Sequence, residues 1–201
     1  MNDLIASLLA LISAMEANAY FLLIAIGVIW IVDFVNWWIL GSRLNIFGIY
    51  PRRIFGLVGI PISPILHGHF NHLFFNTFPL FILANLVMLK GLPVFYCVTA
   101  AIVFGSGIIV WIIGRSAFHL GASGLIMGYW SYLLIQAFQE QTVMSYILGA
   151  ISLYYFGGLL MDLFPDKKEV SWEAHLAGFV SGIGAYYLTP KLLPLYGSLL
   201  T

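Results

Sequence analysis

Three short clusters carry residue types that could do covalent chemistry together. The first runs from His67 to Asn76, and in it His72 and Asn76 stand four apart. On a helix that spacing puts both side chains on one face, and both can donate hydrogen bonds. The second is Gly121-Ala122-Ser123-Gly124. A hydroxyl flanked by glycines at a helix start is open to close approach. The first-turn N–H groups beside it lack intrahelical partners and can hold developing negative charge. The third is Ala174-His175 followed by Gly178 and Gly182, a histidine heading a G-x-x-x-G face that lets two helices come close. Together these are the parts of an acyl-transfer site: Ser123 to attack a carbonyl, His175 to take its proton, His72 and Asn76 to donate to the oxyanion. Glu173, two residues from His175, points elsewhere on a helix, so a Ser-His pair without an orienting acid is the economical reading. Each cluster has a plainer reading. G-x-x-x-G alone usually marks packing, Ser in a span commonly bonds its own backbone, and a lone histidine such as His119 can sit at the headgroup level. Their coexistence in one small chain carries the argument.

The elements that must position these groups are membrane helices. Of 201 residues, 62% are apolar and 8% charged, with a mean hydropathy of +1.00, whereas soluble domains carry about 25% charged residues. The 6 Trp, 11 Tyr and 16 Phe exclude a disordered chain. The single cysteine, Cys97, excludes an intramolecular disulfide and a Cys-based zinc cluster. Eight basic and eight acidic side chains cancel, leaving no basic face for nucleic acid. A spanning helix needs about 20 apolar residues, and breaks at charges, Pro and Gly predict six: 20–40, 69–89, 93–113, 121–138, 143–163 and 172–188, with Pro190 and Pro194 closing the last. Residues 1–18 hold Asp3 and Glu16 without Lys or Arg, unlike a signal peptide, and are expected to lie as a short helix at the membrane surface. Residues 19–201 then form one membrane domain. Asp33, the acid deepest in a span, is expected near the interface, paired with Arg43 or Arg52.

The motifs resemble those of the rhomboid family of intramembrane serine proteases, over about residues 51–187. The family's G-x-S-G is matched by Gly121 to Gly124, its H-x-x-x-x-H-x-x-x-N by His67, His72 and Asn76, and its A-H-x-x-G-x-x-x-G by Ala174, His175, Gly178 and Gly182. The resemblance implies an all-α, six-transmembrane-helix bundle around a water-filled cavity, with a half-embedded loop (41–66) after the first helix and a capping loop at 164–171. It implies Ser123 as nucleophile, His175 as general base, and His72, Asn76 and the Ser123 backbone N–H as oxyanion donors. His67, Gly121, Gly124, Gly178, Gly182 and Met127 become supporting residues. Two positions depart from the pattern. Met127 stands where many bacterial members have a Tyr that packs on the catalytic histidine. Arg52-Arg53 stands where many have a Trp-Arg pair.

The resemblance implies transmembrane protein substrates, a lipid bilayer as surroundings, and no metal or other cofactor. It also implies a bacterial inner membrane with a cytoplasmic N-terminus. Counting Lys and Arg gives the opposite orientation, two (Lys90, Lys191) against six. The family orientation is preferred because three of the six lie in the loop expected to be embedded. An inactive, client-binding rhomboid relative is the nearest rival; such proteins lack the serine or the histidine. A His-box metal enzyme would use His67, His69 and His72, but only His119 and His175 remain to complete it. A transporter would favour repeated halves and a midplane charge.

Overall fold

The computed structural model describes residues 2–158 and 171–199. Helix α1, Asn2–Phe34, passes through residue 18 without a break and continues into a π-helical turn, Val35–Ile39. Its stretch Leu8–Ile39 is long and apolar enough to cross a membrane. The buried Asn36 side chain shapes the exit turn, donating to Asn45 Oδ1 (2.8 Å) and accepting from the Leu44 N–H (2.9 Å).

The following connection is a chain of short turns, Arg43–Phe47, Ile54–Leu57, α2 (Gly59–Ile62) and Ser63–Ile65. It exposes Ile46, Phe47, Ile54, Phe55 and Val58, the profile of a segment resting in apolar surroundings. Its inner edge is bonded to the bundle. Ile49 and His119 exchange both backbone hydrogen bonds, the Arg52 guanidinium donates to the Ile112 and Gly114 carbonyls, and Trp111 Nε1 donates to the Arg53 carbonyl at 2.8 Å. The indole that the loop lacks next to its arginines thus arrives from another helix.

Helices α3 (Phe70–Met88) and α4 (Leu92–Ile113) are both long and apolar enough to span. They are joined at Gly91, whose φ of +95° makes the reversal. Helix α5, Ser123–Glu140, is the central one: Gly124, Ile126 to Leu133, Gln136 and Ala137 are all buried. Being wrapped by α3, α4, α6 (Val143–Phe156) and α7 (Trp172–Leu199), it needs little lipid-facing apolar surface. The core around it holds Leu83, Val87, Val98, Ile102, Trp130 and Ala185, each with no exposed surface.

Helices α5 and α7 meet backbone to backbone. A Cβ on Gly178 would run into the Gly124 carbonyl, and one on Gly182 into the Gly128 carbonyl. The Ser131 hydroxyl adds a 2.7 Å bond to the Phe179 carbonyl. Such approach is open only to small residues.

The sequence reading needs three corrections. Helix α1 begins at Asn2, well before residue 20. Helix α7 does not close at Pro190 or Pro194 but runs through both to Leu199; spanning helices tolerate proline because neighbouring groups take up the freed backbone positions. Asp33 pairs with neither arginine; its partner is His67. Residues 159–163 of the fifth expected span and 164–170 of the expected cap lie outside the described residues.

Candidate active site

Ser123, His175 and His72 are each held in the first turn of a helix. Helix α3 opens at His69, whose Nδ1 accepts the His72 N–H at 3.2 Å. His72 and Asn76 then follow one turn apart on the face turned inward. Pro79, further along α3, has no N–H for the Phe75 carbonyl, and both residues line the same cavity. Helix α5 opens at Ser123 with no side-chain cap, so its first N–H groups, that of Ser123 included, have no intrahelical acceptor. Helix α7 opens after Ser171, whose Oγ accepts the Ala174 N–H at 3.3 Å, one residue before His175.

These starts converge on a cavity of about 520 Å³ lined by His72, Asn76, Ser123, Met127, Ser171 and His175, among others. Gly121 lies directly behind two of these side chains. It has a φ of +111°, and a Cβ there would lie 2.6 Å from His72 Nε2 and 3.5 Å from Asn76 Nδ2. The glycine therefore lets the turn before Ser123 sit directly against both side-chain donors. Asn76 is buried, and its Nδ2 has no hydrogen-bond partner among the described residues. A buried amide left unpaired costs about 1–3 kcal/mol; Asn85, Gln136, Ser152 and Ser181 also bury an unpaired polar atom, and of these five only Asn76 lines the cavity.

The sequence-derived residues fall into two groups. Ser123, His175, His72, Asn76 and Met127 line the cavity. His67, Gly121, Gly124, Gly178 and Gly182 do not; they hold the frame. His67 is wholly buried behind His72, with ring centroids 5.1 Å apart in an edge-on arrangement. Its Nε2 accepts the Ala122 N–H at 3.3 Å. Glu173 is buried and faces Arg115 (3.7 Å) rather than the cavity.

Three features were not read from the sequence. Gly128 extends the small-residue seam, and its spacing of four from Gly124 was the available signal. Asp33 supports His67. His119, assigned to the headgroups, is buried instead and knits three segments. Its backbone pairs with Ile49, its Nε2–H donates to the Arg115 carbonyl (3.0 Å), and its Nδ1 accepts from the Ser171 hydroxyl (2.6 Å). Burial pushes the His119 imidazole below its ordinary pKa, with the Arg115 carbonyl pulling the other way.

Comparison with known proteins agrees with this architecture. The family model for the rhomboid domain matches residues 52–191. The chain belongs to the rhomboid family. Among curated proteins it is 38% identical to the uncharacterized protein Rv1337 of Mycobacterium tuberculosis and to the uncharacterized protein Mb1372 of Mycobacterium bovis, each over 74% of this chain and 65% of the relative. It is also 38% identical to the uncharacterized protein ML1171 of Mycobacterium leprae, over 66% of this chain and 56% of the relative. The chain therefore spans less than two thirds of the length of these relatives. As a rhomboid with spanning apolar helices, it is an integral membrane protein.

Proposed function

We propose that this rhomboid is an active intramembrane serine protease that cleaves transmembrane proteins. The observation that carries the reading is the convergence of Ser123, His175, His72 and the unpaired amide of Asn76 on one cavity inside a membrane bundle. The Ser123 hydroxyl attacks the peptide carbonyl carbon as His175 takes its proton. The oxygen's negative charge is met by His72, the Asn76 amide and the Ser123 N–H. Collapse expels the amine, which carries away the proton from His175 and leaves an ester on Ser123. Water, deprotonated by His175, then hydrolyses that ester and frees the serine. A helical substrate must unwind first, because its carbonyls are already hydrogen-bonded, so spans weakened by small or helix-breaking residues are the preferred substrates. The dyad side of the membrane faces outward from a bacterial inner membrane, with the N-terminus in the cytoplasm.

The test is labelling with a fluorophosphonate in detergent, beside folded Ser123→Ala and His175→Ala variants. Labelling of the wild type alone is expected. A folded wild type that stays unlabelled would transfer the assignment to a client-binding rhomboid without turnover.

A further inference from the structure

Asp33 is an acid with no exposed surface on a spanning helix. Charge is expensive there, and such groups are rarely kept for packing alone. Both of its oxygens are used on one residue: Oδ1 accepts the His67 backbone N–H at 2.9 Å, and Oδ2 lies 2.8 Å from His67 Nδ1. On the other side of the ring, Nε2 faces the Ala122 N–H. A backbone N–H can only donate, so Nε2 must be bare and the ring proton must sit on Nδ1, pointing at Asp33. The chain of bonds thus runs in one direction, from the Ala122 N–H to His67 to the Asp33 carboxylate. It begins one residue before Ser123, in the turn that Gly121 presses against His72. The Trp37 indole pins the His67 carbonyl at 2.9 Å, so the residue is fixed from the backbone as well.

We propose that Asp33 is a positioning residue for the nucleophile: through His67 it fixes the turn that presents Ser123 and its N–H to the oxyanion site. The inference rests on the reading of Ser123 as nucleophile. It differs from simple bracing of α1 against α3, because it depends on the order of donors and acceptors. Asp33→Asn keeps the shape and spoils that order. If its amide faces the His67 N–H, two donors meet. If it faces Nδ1, the ring proton moves to Nε2 and confronts the Ala122 N–H. Trp30→Phe is the matched control, since Trp30 Nε1 bonds α1 to α3 itself, through Thr77 Oγ1 at 3.0 Å, away from the cavity.

Two measurements test the proposal. The first is turnover of a transmembrane reporter, with the rate of fluorophosphonate labelling alongside. Asp33→Asn is expected to lower kcat and the labelling rate roughly 10- to 100-fold with KM little changed, as for a reacting group displaced by a fraction of an ångström. Trp30→Phe is expected to keep the wild-type kcat. The second is the nitrogen NMR spectrum of histidine-labelled protein, with His67 assigned by its loss in His67→Gln. The wild type is expected to show a protonated Nδ1 and a bare Nε2. A folded Asp33→Asn protein that labels at the wild-type rate overturns the proposal. So does an equal loss of kcat in Trp30→Phe, and so does a wild-type His67 protonated at Nε2. The tautomer is read on the wild type, so the proposal stays refutable even where Asp33→Asn does not fold. A wild type that fails to label while His67 shows the expected tautomer would instead overturn the reading of Ser123.

Discussion

At the residue scale, the cavity trades stability for donors, and the trade is measurable. Asn76 buries an amide nitrogen without a partner among the described residues. Replacing it with Leu removes an unsatisfied donor from an apolar setting, so the Asn76→Leu protein is expected to melt at or above the wild-type temperature. Its kcat should fall on the order of 10²–10³-fold, the loss expected for one oxyanion donor. Thermal melts in detergent beside reporter turnover check both halves. Gly121 behaves oppositely, because its φ of +111° and the His72 ring behind it leave no room for a methyl group. Gly121→Ala should lose both, melting lower by the equivalent of about 1–3 kcal/mol and turning over no reporter. Both residues were legible in the sequence because their types and spacings are themselves the chemistry. Asp33 was not, since its partner lies 34 positions away and the arginines nearer in sequence looked like the natural counter-charges.

At the element scale, two connections govern where the helices start. The α5–α7 seam has carbonyl oxygens where side chains would stand, so Gly178→Val should separate the helices and abolish both the melting transition and labelling. The G-x-x-x-G spacing on α7 announced this seam, and the same spacing of Gly124 and Gly128 on α5 was a second signal left unread. The other connection is His119, which joins the first loop to the heads of α5 and α7, between Arg115 and Glu173. Its folded pKa is depressed by burial, so the unfolded chain binds a proton more readily. The stability it contributes is present above its ordinary value, near 6.5, and is lost as pH falls below that toward the folded value. Melts between pH 5 and 8 should therefore drop on the acid side for the wild type and drop less in His119→Gln. Sequence alone gave His119 no role, because its partners come from three separate segments. The helix ends were misread for simpler reasons: at α7, neighbouring groups in a bilayer satisfy the backbone past Pro190 and Pro194, and at α1 no Pro or Gly interrupts residues 2–19, so the helix continues beyond the apolar span.

At the scale of the whole molecule, the polar ends of the bundle differ. Lys90 and Glu140 pair at one end at 2.9 Å, while Arg52 and Ser116 meet at the cavity end. Cys97 is buried, so single introduced cysteines can report orientation over a quiet background. With the N-terminus in the cytoplasm, Ser116→Cys should react with an impermeant maleimide on intact cells and Gln139→Cys only after permeabilisation; the reverse pattern would favour the charge count over the family orientation. The helices also differ in what they touch. Helix α1 bears most of its apolar surface outward, while α5 is enclosed. Hydrophobic mismatch with a thicker or thinner bilayer is borne by tilt of the helices that lipid contacts. The serine's helix is therefore mechanically insulated, like an axle inside its housing. Membranes of different thickness would be felt first in how a substrate span reaches the cavity, and last in the geometry of the groups waiting for it.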